Sequence, residues 1–312
     1  MNRRLIAIVT LCLAFALTAA AQQDPLFSHY WAMEPAYNPA AVGKQEKVNF
    51  AGAYQMNLTG FTRNPRTMYA GADMPFYMIG GYHGIGGQFF NDQIGLFSHN
   101  RINLQYAYKT KLFGGRLSIG VQAGMISENF DGSKVELNEG NDPAFSTSEL
   151  TGTGFDLAAG LYYTHKNWYA GISSLHLTAP TIELGESNEL ALARAYYFTA
   201  GCNIRLHNPF ITIHPSLFGV SDAVGYRADA TCRVKYTNDS RVMWAGLGYS
   251  PSNSFTVMLG GLFHGVSLGY SYEVYTNGLS IGNGSHGLFV GYQTDLELFK
   301  KGRNRHQAVR IL

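Results

Sequence analysis

From Tyr226 to Thr237 apolar and polar residues alternate without a break. Tyr226, Ala228, Ala230, Cys232, Val234 and Tyr236 fall on one face of an extended strand, and Arg227, Asp229, Thr231, Arg233, Lys235 and Thr237 on the other. The same period recurs along the chain. Val48, Phe50, Tyr54, Met56 and Leu58 oppose Asn49, Gln55 and Asn57; Ile102, Leu104, Tyr106 and Tyr108 oppose Asn103, Gln105, Lys109 and Lys111. Near the carboxy terminus Leu288, Val290, Tyr292, Leu296 and Leu298 oppose Gln293, Asp295 and Glu297. One such strand suits a half-buried sheet in a soluble domain. A chain built of them describes a wall with hydrocarbon on one side and a polar lumen on the other.

Period and turn residues predict fourteen strands, at 47–57, 66–75, 82–91, 95–110, 116–129, 154–164, 167–177, 193–206, 209–220, 225–236, 241–250, 254–263, 266–276 and 286–298. Every second connection is tight: LFGG from 112, THKN at 164–167, LHNP at 206–209, TNDS at 237–240 and His264-Gly265. The intervening links include 130–153, 178–192 and 277–285, although those near Asp92 and Pro251 are short. Short inner turns and longer outer loops are the plan of an outer-membrane barrel, which places both termini in the periplasm. The fold class expected is therefore all-β, an antiparallel outer-membrane β-barrel of about fourteen strands with an amino-terminal plug-like segment.

Composition supports this. Only 14% of residues are charged, against roughly 25% in soluble domains, while glycine (36), tyrosine (20) and phenylalanine (19) are abundant. Arg3 and Arg4, an apolar stretch from Leu5 to Leu17 and Ala19-Ala20-Ala21 read as a secretory leader over residues 1–21. Lipidation at Cys12 would require a smaller residue than Leu11 before it and would cut the apolar stretch in half. Beyond the leader no apolar stretch is long enough for a helical span. Without Arg3 and Arg4 the chain carries 21 basic and 21 acidic residues, which gives no footprint for nucleic acid. The division expected is a signal peptide at 1–21, a plug or contact segment at 22–45, a barrel at 46–298 and a basic tail at 299–312.

Candidate chemistry is sparse. His214, Ser216 and Asp229 share the inward face of adjacent strands, but no nucleophile motif accompanies them, and inward polar residues are the rule in barrels. No catalytic residue, metal ligand or cofactor is assigned. The acidic loop from Asp131 to Glu149 lacks the spacing of a calcium loop and reads as solvated surface. Gly84, Gly86, Gly87, Gly246, Gly248, Gly260 and Gly261 are expected to allow curvature or close approach of an internal segment; the dinucleotide spacing fails at Phe89. Cys202 and Cys232 are expected to face lipid, unbridged. The lumen is expected to hold both signs of charge, on Lys109, Arg227, Asp229, Arg233, Lys235, Glu273 and Asp295. The tail FKKGRNRHQAVRIL has five basic and no acidic residues, which suits contact with anionic lipid or an acidic partner as well as no contact at all.

The segment QQDPLFSHYWAMEPAYNPAAVG, residues 22–43, has prolines at 25, 35 and 39 and aromatics that need burial. Asp24, Pro25, Phe27, Tyr30, Tyr37, Asn38, Pro39 and Gly43 are the positions expected to contact the lumen or a partner. Asp24-Pro25, Phe27-Ser28 and Tyr30, then Asn38-Pro39-Ala40 and Gly43, resemble the opening DP-x-FS-x-Y … NPA-x-x-G of the PorP/SprF family of the type IX secretion system. Leu268 to Glu273 and Gly284-Ser285-His286 resemble its closing strands, with Gly287 where an acidic residue is expected. The resemblance implies an outer-membrane barrel, similar to long-chain fatty-acid channels, that serves protein export without catalysis. It implies partners among periplasmic ring and peptidoglycan-binding components, and secreted cargo. The alternative is a passive channel for hydrophobic or small substrates.

Overall fold

The computed structural model describes residues 24–132, 149–185, 188–222, 225–238, 241–251, 253–276 and 283–295. The expected leader, most of the acidic loop, part of the TNDS turn, Leu296 to Leu298 and the basic tail lie outside the described residues.

The wall begins with β1 (Lys47–Met56), β2 (Arg66–Met78), β3 (Gly81–Ile94), β4 (Phe97–Leu112), β5 (Gly115–Asp131), β6 (Glu149–His165) and β7 (Trp168–Leu175). A small hairpin follows, β8 (Thr181–Leu184) with β9 (Asn188–Ala191). The wall resumes with β10 (Ala195–Cys202), β11 (Ile204–Arg205), β12 (Ile211–Ser221), β13 (Tyr226–Asn238), β14 (Arg241–Ser250), β15 (Ser254–Phe263), β16 (Val266–Tyr275) and β17 (Ser285–Asp295). β10 and β11 both pair with β12 and are one wall strand interrupted at Asn203. The wall is thus a closed antiparallel barrel of fourteen strands, sealed where β1 meets β17 with Lys47 opposite Asp295 and Met56 opposite His286. Among the described residues no helix is long and apolar enough to cross a membrane. A closed ring of strands crosses without one, because every ladder group finds a partner on both sides.

Side-chain alternation sets what each face meets. On β4, Ile102 and Leu104 are 61% and 71% exposed, whereas Asn103 and Gln105 between and beside them are 4% and 3% exposed. The neighbouring strands repeat the scheme: Ile119, Val121 and Phe155 point out, and Ser118, Gln122 and Asp156 are buried. In water this arrangement would be inside out. In a bilayer it is the low-energy one, with apolar groups on lipid and polar groups meeting one another. Apart from the short β3–β4, β12–β13 and β14–β15 links, the tight turns lie at one end. Three of them, Ile79-Gly80, Phe113-Gly114 and His264-Gly265, have positive φ at both central residues, the geometry that follows the twist of a two-residue hairpin.

The segment between β7 and β10 is more than a link. β8 and β9 form a hairpin whose Ile182 is fully buried and rests on Gly152 and Gly154, on the inward face of β6. The hairpin therefore leans inward at the long-loop end. Strands of four residues are too short to show a period, so the sequence read this stretch as a plain link.

Cys202 and Cys232 are both free. They sit on the outward faces of β10 and β13, with β12 between them, about 9 Å apart at the usual strand spacing and too far for a disulfide. We expect Cys232 in native membranes to react with a bilayer-partitioning maleimide and not with a charged aqueous one. Equal labelling by both reagents would place this face of β13 in water.

Candidate functional site: the amino-terminal segment inside the barrel

Residues 24–43 form neither a strand nor an α-helix but three single 3₁₀ turns, Tyr30–Ala32, Glu34–Ala36 and Pro39–Ala41. Pro35 and Pro39 stand at the start of the second and third turns, where a fixed φ helps and a missing N–H costs nothing. Asn38 caps the third, its Oδ1 accepting from the Ala40 N–H at 2.9 Å.

This compact piece runs through the interior and touches strands around the whole ring. Its first described residue, Asp24, accepts from Arg101 Nη1 on β4 at 2.7 Å and from the Tyr197 hydroxyl on β10 at 2.7 Å. It also lies 3.1 Å from His176 Nε2, whose other ring nitrogen is 2.8 Å from the Asp156 carboxylate on β6. Phe27 packs its ring against Tyr69 and Phe90. Tyr30 stacks on Phe218 at 4.8 Å and shares a 2.9 Å hydrogen bond with Ser216. His29 stacks on Phe289, and Trp31 meets Trp244 edge-on at 5.0 Å. Glu34 accepts from the Tyr162 hydroxyl at 2.9 Å and from Lys44 Nζ at 2.8 Å. The carbonyl of Pro35 accepts from Gln105 at 2.7 Å, and that of Tyr37 from Ser173 at 2.6 Å. The Asn38 amide donates to the carbonyls of Leu161 and Ile172, two residues opposite one another on β6 and β7, at 3.0 and 3.2 Å.

The wall is shaped to receive the segment. A Cβ at Gly160 would strike the Asn38 side chain, one at Gly120 the backbone of Ala40, and one at Gly84 the carbonyl of Val42. Gly43 turns the chain out toward β1 with φ of +60° and donates its N–H to Asp73 at 2.7 Å. Room beside it is uneven: the space at Asp24 is about 30 Å³ and that near Tyr37 about 10 Å³, enough for a water or two at most, whereas one of about 430 Å³ reaches from Trp31 and Glu34 to the turn residues Lys166 and Gly265.

The expected partner-contact residues gather here. Asp24, Phe27, Tyr30, Tyr37, Asn38, Pro39 and Gly43 are each packed or hydrogen-bonded as described, and Pro25 lines the small space beside Asp24. The expected lumen charges divide. Arg227 bonds Asp229 at 3.0 Å and Glu273 at 2.9 Å in one network, and Arg233 lies 3.5 Å above the Trp31 ring. Lys109 is buried on the inward face of β4, and Lys235 lines a cavity at the short-turn end. Asp295 stands apart, exposed at the rim and 3.5 Å from Lys47. His214, Ser216 and Asp229 do not form a catalytic set, since Ser216 bonds Tyr30, His214 bonds Asn203 and Asp229 bonds Arg227. Sequence reasoning missed Arg101, Asp156, Tyr197 and His176. The first three share the inward parity of their strands; His176, in a connection, has no periodic signal at all.

A family model described as "Type IX secretion system membrane protein PorP/SprF" matches residues 19–292. The chain belongs to the PorP/SprF family. This PorP/SprF protein is accordingly a type IX secretion membrane protein of the outer membrane. Among solved structures it is similar to the CymD monoaromatic hydrocarbon channel, at 12% identity over 85% of this chain and 93% of that one, with a TM-score of 0.49. It is also similar to a Pseudomonas aeruginosa FadL homologue (12% identity, 83% and 92% covered, TM-score 0.46) and to the P. putida toluene transporter TodX (10%, 83% and 92%, 0.46). No curated protein matches it.

The cluster at Asp24 gives the PorP/SprF segment a pH signature. Burial alone would raise the Asp24 pKa, but the Arg101 guanidinium and His176, with hydrogen bonds from His176 and Tyr197, hold the carboxyl well below its usual range. Burial would lower His176, and the charge of Asp24 with the hydrogen bonds His176 donates to Asp156 and Asp24 overrides it, up to about 9. The depressed Asp24 contributes stability above its unfolded value of about 4, and that contribution is lost as pH falls. The raised His176 contributes fully below about 6.5 and loses its contribution as pH climbs through about 9. Amide exchange of residues 25–37 should therefore be slowest between about pH 5 and 7 and accelerate, beyond its intrinsic pH dependence, as pH rises through about 9. Asp24→Asn, which leaves Arg101 buried without its anion, should cost about 3 kcal/mol of local protection and remove most of that pH dependence. Unchanged exchange in the variant would contradict this account of the anchor.

Proposed function

We propose that this protein is a non-enzymatic docking component of the type IX secretion apparatus, holding periplasmic machine parts, cargo or both at an outer-membrane barrel plugged by residues 24–43. The observation that carries the reading is the filled interior. Asp24, Glu34 and Asn38 are bonded to β4, β6, β7 and β10, and although a space of about 430 Å³ reaches the short turns from Glu34, those beside Asp24 and Tyr37, about 30 and 10 Å³, are too small for a solute larger than water. A passive channel for hydrophobic or small substrates needs a continuous path, or a segment that leaves. The many separate anchors of this one favour a fixed scaffold, whose periplasmic turns present the surface that partners meet.

Deleting Phe27 to Asn38 tests the reading. We expect the variant barrel to insert, to lose co-purification of periplasmic secretion components and to lose cargo secretion, while wild-type protein in liposomes shows no uptake of aromatic hydrocarbons or sugars. Persistent secretion and co-purification in the inserted variant would sink the docking role of the segment, and saturable uptake by the wild type would restore the channel.

A further inference from the structure

Below the segment, at the short-turn end, lies a cavity of about 430 Å³. It reaches the turn residues Lys166, Asn167 and Gly265, and so opens toward the periplasm. Its volume is within the range of ligand pockets, about 300–1,000 Å³. The charges around it do not balance. Lys44, Lys166, Arg233 and Lys235 line it against Glu34 and Asp73 alone. Both carboxylates are already engaged, Glu34 by Lys44 and Tyr162, and Asp73 by the Gly43 N–H and Asn49.

Arg233 and Lys235 occupy successive inward positions of β13, a strand spacing of about 7 Å. Neither forms an ion pair among the described residues. The Arg233 guanidinium instead lies over the Trp31 ring at 3.5 Å, held flat at the cavity wall. Three buried polar atoms of this wall have no hydrogen-bond partner among the described residues: Arg233 Nε, Trp31 Nε1 and His214 Nε2. Two of them are N–H donors. Desolvated donors beside uncompensated cations are the complement of an anion with planar acceptor oxygens, and a fixed guanidinium fork is suited to a carboxylate. Aromatic rings share the space, Tyr169 and Trp244 among them.

We propose that this cavity binds a carboxylate side chain of an acidic peptide segment arriving from the periplasm, with Arg233 and Lys235 as the recognising cations and Trp31 orienting Arg233. The inference rests on the docking reading above and names the chemistry of its partner. A peptide is favoured over a lipid headgroup because Arg233 and Lys235 are on the inward face of β13, opposite to the face that meets lipid. It is favoured over a free inorganic anion because aromatic faces flank the cations.

All three tryptophans of the chain, Trp31, Trp168 and Trp244, line the cavity, so intrinsic fluorescence reports its occupancy. The full-length protein in detergent is titrated with the peptide Phe-Glu-Phe-Glu, its Phe-Gln-Phe-Gln counterpart, inorganic phosphate and anionic lipid micelles. We expect saturable quenching by the Glu peptide, with binding about tenfold weaker or more for the other three probes. Lys235→Glu should weaken Glu-peptide binding at least about tenfold, and Lys235→Gln by less, while the folded barrel keeps its electrophoretic mobility. Equal binding of the Gln peptide, tighter binding of phosphate or lipid, or an unaffected Lys235→Glu variant would each overturn the assignment. Co-purification separates the two ideas. If Lys235→Glu recovers periplasmic components as well as the wild type does, this site is not the docking point and the inference falls while docking stands. If the peptide binds as expected but the wild type recovers no partner, docking falls and the anion site stands.

Discussion

Hydrocarbon offers no partner to a backbone N–H or C=O, and that one constraint orders the rest of this molecule. Strands crossing a bilayer must close on themselves, as β1 does on β17. Closure commits alternate side chains to lipid and to the interior, so the fate of Leu104 and Gln105 follows from their neighbours' pairing. Arg101, Lys109, Glu128, Asp156 and Glu273 are thereby sealed into a common space.

A sealed polar space has to be satisfied from within. The wall does some of this alone, through pairs such as Arg227 with Glu273 and His99 with Glu128. Elsewhere the amino-terminal segment supplies what the wall lacks: an anion for Arg101 and His176, acceptors for Gln105 and Ser173, and a ring for Arg233. Wall and segment are two halves of one hydrogen-bonding scheme. Glycines at 84, 120 and 160 bring the halves close enough to meet. At the short-turn mouth the scheme is incomplete, and the incompleteness has one sign, positive.

The architecture was legible in the sequence because a period of two survives in any strand that separates lipid from polar groups. The alternation from Tyr226 to Thr237 predicted strand β13 to within a residue or two. Where the period fails, so did the reading. The hairpin β8–β9 is too short to show one, and β10 is broken at Asn203 by a residue that looks like any other inward polar position. The family resemblance marked Asp24, Asn38 and Gly43, but their partners lie far along the chain. Nothing local ties Asp24 to His176, 152 residues on, or Asn38 to the carbonyl of Ile172. The glycines were visible as openings in the wall; which atom filled each opening was not.

The join at Gly43 has a consequence for manufacture. The strand that leaves this residue, β1, is the first made, and its partner at the seam, β17, is the last. Until those two edges pair, the sheet is an open trough with two unsatisfied edges, and the segment is tethered to one of them. Arg101 on β4 and Tyr162 on β6 have their partners in the segment, Asp24 and Glu34, and neither contact depends on the seam. The segment thus stands to the sheet as a mandrel stands to a rolled tube, present before the edges join and enclosed when they do.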